Sequence, residues 1–163
     1  MKTIKTVTLT GLILTILFFN SCNERKEIKV ESSNGLYDFT CYLNEEANEI
    51  YYSLGFRGQE IIHPSLLGFV FSTGGEEHHD IIFKNVVRKN VDSSWRPVYG
   101  EKSEYPEVYS EIVIDIREGE KKYKLHVRAY NEGVAFRYEF PEDNTHIIEE
   151  KTEFALPAKT ILW

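Results

Sequence analysis

The chain has 163 residues, of which 42% are hydrophobic, 13% aromatic and 28% charged, a composition typical of a single globular domain rather than a disordered segment. Its length excludes a complete (β/α)8 barrel, which needs about 250 residues, and no repeated strand–helix pattern indicates a doubly wound dinucleotide-binding fold. The 19 basic and 26 acidic residues give a net charge of −7, and a chain of this sign gains little from counterion release, which argues against a nucleic-acid partner.

Residues 1–21 are predicted to form a lipoprotein signal peptide. Two lysines precede an apolar run over 7–19, which is too short to span a hydrocarbon layer of about 30 Å comfortably. A small residue stands before Cys22, as in a bacterial lipobox, so Cys22 is the expected lipidated N-terminus. An ordinary signal peptide with an incidental cysteine is the alternative. The protein is therefore expected to be exported, and to be either lipid-anchored to the outer membrane or periplasmic.

After the leader, residues 22–29 are polar and charged and are predicted to be a tether, followed by a β-domain over 30–163. Cys41 alternates with apolar residues and is predicted to be a small apolar core residue. If Cys22 is acylated, Cys41 has no second cysteine to pair with, so no disulfide is expected.

The first part of this domain shows the two-residue apolar period of half-buried strands. Residues 36–43 and 49–56 follow that period on either side of a polar turn. Residues 66–71 and 81–91 are further strand candidates. No stretch keeps a helical apolar period for ten residues, so the helix content is expected to be low.

The second part predicts three consecutive antiparallel strands, over 109–117, 121–130 and 134–140. The turns are expected near Gly119 and Gly133, and Gly133 is expected to supply a positive φ there if the turn needs one. The fold class predicted from these patterns is all-β, with two antiparallel sheets packed face to face in a β-sandwich.

The densest group of potential metal ligands is the run EEHHD over 76–80. Neighbouring residues on an extended chain point to opposite faces, and the run lacks the spacing of a metal motif. A solvated loop after two glycines is therefore the favoured interpretation, and no metal site is predicted in this chain.

Four residues close together in sequence are the candidate sugar contact: Trp95, Arg96, Tyr99 and Glu101. Aromatic rings can pack on the C–H faces of pyranose rings, while carboxylate and guanidinium groups bind hydroxyls. The alternative is a core tryptophan at a strand end followed by a surface loop. Glycoside hydrolysis needs two carboxylates facing each other at roughly 5–10 Å. Sequence spacing cannot show whether carboxylates face each other across sheets, and the neighbouring acidic residues of this chain are interpreted as surface charge, so no catalytic residue is predicted.

Several motifs together resemble the N-terminal domain of glycoside hydrolase family 97. The most specific is VRAYNEGVAFRY over 127–138. It is accompanied by P-S-x-L-G over 64–68, D-x-x-W-x-P-x-x-G-E over 92–101, Y-x-E over 109–111 and E-F-x-L-P over 153–157. The order, spacing and residue types of these motifs agree with the family together.

The resemblance implies a β-supersandwich of the galactose-mutarotase type, incomplete in this chain, that packs on a catalytic (β/α)8 barrel. Relatives act on α-glucosides or α-galactosides. Calcium is expected in full-length relatives, whereas no cofactor is expected in this chain. Because the family's catalytic carboxylates lie in the barrel, a non-catalytic accessory domain of a truncated or fragmentary enzyme is expected. Its implied partner is the barrel, which the four candidate residues would then contact, or an oligosaccharide. The alternative is a free-standing sugar-binding surface or periplasmic lipoprotein.

Overall fold

The computed structural model describes residues 27–72, 80–141 and 146–161, and within these ranges it contains ten β-strands and no helix. Sheet 1 has the order β1 (Glu27–Glu31), β2 (Tyr37–Asn44), β3 (Glu49–Phe56) and β4 (Gln59–Leu67). Sheet 2 has the order β6 (Ile81–Trp95), β7 (Tyr105–Glu118), β8 (Lys121–Tyr130) and β9 (Gly133–Glu139). The short β5 (Phe69–Phe71) pairs with β10 (Ile147–Glu150). All pairings are antiparallel, which confirms the predicted all-β class.

The apolar faces of the two large sheets pack together into one core. The ring centroid of Phe136 on β9 lies 6.2 Å from that of Phe39 and 5.6 Å from that of Tyr52, and both of these residues are on sheet 1. The positions that the alternation predicts to point inward on β7 and β8 are fully buried, namely Ile112, Ile114, Ile116, Tyr123, Leu125, Val127 and Ala129. Burying each large side chain of this kind stabilises the fold by roughly 1.5–3 kcal/mol.

The segment that follows β9 closes the edge of sheet 1. Beyond β10 it runs alongside β4, where the His63 amide donates to Ala155 O at 2.8 Å. The Lys151 amide donates to Gly68 O at 2.8 Å. The buried Tyr52 hydroxyl donates to Glu153 O at 2.7 Å. These bonds join the β5–β10 pair and sheet 1 into one layer of the sandwich.

Cys41 is a free cysteine in the middle of this core, with 0% exposure. Burial raises the pKa of its thiol to about 12, because the thiolate would lose its hydration. The prediction that Cys41 acts as a small apolar core residue is confirmed.

The boundary of the predicted tether differs from the structure. The tether was predicted to reach residue 29, but β1 begins at Glu27, because Ile28 and Val30 alternate with charged residues and are buried. The earlier part of the tether, the leader with Cys22, the run over 76–79 and Trp163 lie outside the described residues. No helix long and apolar enough to cross a membrane occurs in the described ranges.

The turns of sheet 2 fall where they were predicted, but the glycines differ in conformation. Gly119 has φ 58° in the turn between β7 and β8, whereas Gly133 has no positive φ. The turn between β8 and β9 consists of Asn131 and Glu132, and Gly133 is already paired with Tyr130 as the first residue of β9. The turn therefore needs no positive φ at Gly133.

Candidate functional site

The outstanding feature of sheet 2 is an arm formed by residues 92–108. Strands β6 and β7 remain paired up to Trp95 and Tyr105, but β8 pairs with β7 only from Tyr109 onward. The arm is thus a two-stranded ribbon that extends past the rest of the sheet, with residues 96–104 as its tip. This geometry places the tip away from the core.

An aromatic pair lies near the end of the arm. The rings of Trp95 and Tyr105 stack with centroids 5.3 Å apart and planes 20° apart. Trp95 is 51% exposed, and Lys102 Nζ lies 5.8 Å from the Tyr105 ring centroid. The alternative of a core tryptophan is therefore excluded, and the indole offers a surface for contact with a ligand or another domain.

The other candidate residues are distributed around this pair. One guanidinium nitrogen of Arg96 lies 3.9 Å from Glu104 Oε2, and the Ser94 hydroxyl is hydrogen-bonded to the same carboxylate. Tyr99 is 90% exposed at the tip, where Glu101 is exposed as well. The structure thus pairs Trp95 with Tyr105 and places Arg96 beside Glu104 rather than Glu101, but it shows no contact that joins the four candidate residues.

A half-buried ionic cluster lies on the same face of sheet 2, where the odd-numbered residues of β7 point. Glu111 is 8% exposed and accepts a hydrogen bond from Arg128 Nε at 2.8 Å. The Arg128 guanidinium also lies 4.4 Å from the ring centroid of the buried Tyr109. Hydrogen bonds, first from Arg128 to Glu111 and then to Tyr130, raise the pKa of Arg128. The arginine is therefore held in place both by charge and by an aromatic face.

His126 extends this cluster toward β9. Its Nδ1 lies 3.9 Å from Glu111 Oε1, and its Nε2 lies 3.0 Å from Glu139 Oε2. No aligned hydrogen bond forms at Nε2, so the contact with Glu139 is one of proximity. We call Glu111, His126, Arg128 and Glu139 the ionic cluster. With the arm, it forms the outer face of sheet 2.

Comparison with known proteins identifies the domain. Residues 30–163 match the family model described as Glycosyl-hydrolase 97 N-terminal. The chain belongs to this family. The resemblance inferred from the motifs is thereby confirmed for most of the chain.

Solved structures show the same fold as this family 97 N-terminal domain. A Glycoside Hydrolase Family 97 enzyme from Pseudoalteromonas sp. strain K8, in complex with panose, matches with a TM-score of 0.67 and 24% identity. A complex of such an enzyme from that strain with acarbose matches equally well. The crystal structure of a beta-arabinopyranosidase matches with a TM-score of 0.68 and 20% identity. Each match covers 80% of this chain, which spans only about a fifth of the matched chains.

The described residues of the family 97 domain do not assemble a metal site by themselves. In ranges 27–72, 80–141 and 146–161, no group of three or more His, Cys, Asp or Glu side chains could hold a metal ion. Glu111, the most buried carboxylate among them, is already bonded to Arg128. The calcium expected in full-length relatives thus stays a prediction about those proteins.

The sequence reasoning missed the ionic cluster, although a signal for it was present. The alternation over 121–130 puts His126 and Arg128 on the outward face of β8, but their partners on β7 were not predicted. Counting back from the turn at Gly119 and Glu120 places Glu111 directly opposite Arg128, as the structure shows. This counting identifies a carboxylate and a guanidinium that face each other across a hairpin, which is a pair expected to interact.

Proposed function

We propose that this chain is the accessory, non-catalytic N-terminal domain of a family 97 glycoside hydrolase, and that it docks onto the catalytic barrel through the arm. The observation that carries the proposal is the exposure of Trp95, Val98 and Tyr99, which are 51%, 99% and 90% exposed in one arm. Aromatic and apolar side chains concentrated on one protruding element are typical of contact surfaces.

The ionic cluster supports the same docking face. It lies on the outer face of sheet 2, beside the base of the arm, and its Glu111 is largely shielded from water. Charged groups that are fixed by their neighbours give specificity and orientation to an interface more than they give affinity. We infer that the arm supplies binding energy and that the cluster sets the orientation of the two domains.

The substrate class of the whole enzyme is part of the proposal. The Pseudoalteromonas enzyme has been crystallised with panose and with acarbose. We propose that the enzyme to which this domain belongs hydrolyses α-glucosides or α-galactosides, with the carboxylates supplied by the barrel. The purified chain should release no product from maltose, isomaltose or melibiose. Turnover that disappears when one carboxylate of this chain becomes an amide would contradict the non-catalytic assignment.

Docking is best measured through Trp95 itself. In a Trp163→Phe background, titration with the catalytic portion of the Pseudoalteromonas enzyme should shift the Trp95 emission to shorter wavelength, because the indole leaves water. Tyr99→Ala should weaken the association by about tenfold, equivalent to about 1.4 kcal/mol. Lys84→Ala, an exposed change elsewhere on β6, is the matched control. An emission spectrum that does not change at saturating partner concentration would contradict docking through the arm.

A sugar-binding lipoprotein is the second candidate function, and the exposed, stacked Trp95–Tyr105 pair favours it. We also propose that Cys22 is lipidated, on the strength of the basic start, the apolar run and the small residue before it. Mass spectrometry of the membrane fraction should find a diacylglycerol-modified Cys22. An unmodified mature chain confined to the soluble periplasm would contradict the anchor.

A further inference from the structure

The outer face of sheet 1 carries an aromatic row that the docking proposal does not use. Glu27, Tyr42, Tyr51 and Leu66 are directly paired in register across all four strands. At the far end of the row, the Leu66 amide donates to Glu153 Oε2 at 3.4 Å. With neighbouring strands about 4.8 Å apart, the row is roughly 14 Å long and has a carboxylate at each end.

The two tyrosines in the centre of the row form the aromatic part of this surface. Their rings are nearly parallel, at 15°, with centroids 5.8 Å apart. Because this separation exceeds the contact distance of two superposed rings, about 3.5–4 Å, the rings are offset. Both side chains are only partly buried. The pair as a whole is therefore partly accessible to solvent.

Polar groups flank the tyrosine pair on both sides along the strands. The Tyr51 hydroxyl donates to Glu49 Oε2 at 3.0 Å, which fixes the ring and places a carboxylate beside it. Two residues away in the other direction, Thr40 and Ser53 are paired with each other on the same face. An aromatic surface thus lies between a row with a carboxylate and a row with two hydroxyls.

We propose that the Tyr42–Tyr51 pair is a binding site for a neutral pyranoside chain. The aromatic rings match the apolar C–H faces of pyranose units, and the flanking carboxylates and hydroxyls accept and donate hydrogen bonds to sugar hydroxyls. The acidic residues around the pair, Glu27, Glu49 and Glu153, repel anionic ligands, as does the net charge of −7. A neutral glycan is therefore favoured over an acidic polysaccharide.

The site goes beyond the docking proposal and does not depend on it. Sheet 1 and sheet 2 pack through their inner faces, so the tyrosine pair and the arm lie on opposite sides of the sandwich. A domain that is docked through sheet 2 would still present the tyrosine row to solvent. The competing explanation is that the pair only stabilises sheet 1, as cross-strand aromatic pairs do.

Isothermal titration of the full chain with maltoheptaose, with cellohexaose as the β-linked counterpart, tests the proposal. Tyr42→Ala/Tyr51→Ala should weaken binding of the preferred glycan by about tenfold or more. Tyr51→Phe keeps the ring, loses only the Glu49 hydrogen bond and should stay within about threefold. If the double alanine variant does not fold by circular dichroism, Tyr42→Leu/Tyr51→Leu keeps apolar bulk on the sheet and takes its place.

Each outcome decides the question separately from docking. A heat of binding that disappears in Tyr42→Ala/Tyr51→Ala but remains in Tyr99→Ala would support the site. The proposal would be overturned if the wild type bound neither glycan at millimolar concentration, or if the double variant bound as well as the wild type. Tighter binding of an oligogalacturonate would also overturn it. The Trp95 emission measured with the catalytic portion tests docking, and none of these glycan-binding outcomes depends on it.

Discussion

Replacing Arg128 with Met should destabilise the domain by about 2 kcal/mol, because it leaves Glu111 without its strongest donor. The Glu111 side chain is 10% exposed and the Arg128 side chain 37%, with Nε to Oε1 at 2.8 Å. Breaking a fully buried pair costs roughly 3–5 kcal/mol, and an exposed pair contributes roughly 0.2–1 kcal/mol. The exposure of Arg128 places the expected loss between these values. Met keeps much of the apolar stem that packs against Tyr109.

Urea unfolding followed by intrinsic fluorescence measures this loss, and a double-mutant cycle separates its origin. Glu111→Gln/Arg128→Met should recover part of the stability, with a coupling energy of about 1–2 kcal/mol. The matched control is Lys124→Met, because Lys124 Nζ pairs with Asp115 Oδ1 at 3.6 Å across the same two strands but in an exposed position. It should cost less than about 0.5 kcal/mol. Equal losses in Arg128→Met and Lys124→Met would refute the argument that burial of Glu111 makes the pair important.

Three further outcomes test the fold. Gly119→Ala should cost about 1–2 kcal/mol in thermal unfolding because its φ is 58°, whereas Gly133→Ala should change stability by less than about 0.5 kcal/mol, because its φ is not positive and an added Cβ would meet nothing within 4 Å. Tyr52→Phe should cost about 1 kcal/mol at pH 7 through the lost bond to Glu153 O. Burial raises the pKa of Tyr52 to about 12. Above pH 10 the Tyr52 hydroxyl therefore loses its proton in the unfolded chain at lower pH than in the folded chain. The wild type should then lose stability from pH 10 to 12, and Tyr52→Phe should lose it less steeply. Cys41 should not react with a thiol reagent at pH 8 in a Cys22→Ser background until the protein unfolds, and rapid labelling of the folded chain would contradict its burial.

The strands with clean alternation were predicted almost to the residue. The predictions over 49–56 and 121–130 have the bounds of β3 and β8, and 36–43 differs from β2 by one residue at each end. In these segments the inward positions are apolar and most outward positions are polar, so local pattern and tertiary burial agree. The prediction over 66–71 was less accurate, because the bend at Gly68, with φ 147°, divides it between β4 and β5.

The arm was only partly predictable, because the strand pairing that extends it joins residues that are separated in sequence. The sequence predicted a strand over 81–91, but β6 continues through Asp92–Trp95, where the residues are mostly polar. These residues remain in a strand because they pair with Tyr105–Val108, which lie about ten or more positions away along the chain. The sequence could therefore single out Trp95 as a candidate, while the contact of Arg96 with Glu104 rather than Glu101 depends on a pairing that no local pattern reveals.

The two outer faces of the sandwich differ in a way that fits a division of tasks. The outer face of sheet 2 holds a largely shielded carboxylate bonded to Arg128, and beside it lies a protruding arm whose Trp95 is half exposed. Fixed charges next to exposed apolar groups suit a permanent partner, since such a partner can bury both without leaving a charge unpaired. The outer face of sheet 1 has instead a shallow aromatic pair whose carboxylates and hydroxyls can exchange water for sugar hydroxyls at little cost. Weak and reversible binding is expected from such a surface. A domain docked through sheet 2 could therefore hold a glycan on sheet 1 near the catalytic barrel and raise its local concentration.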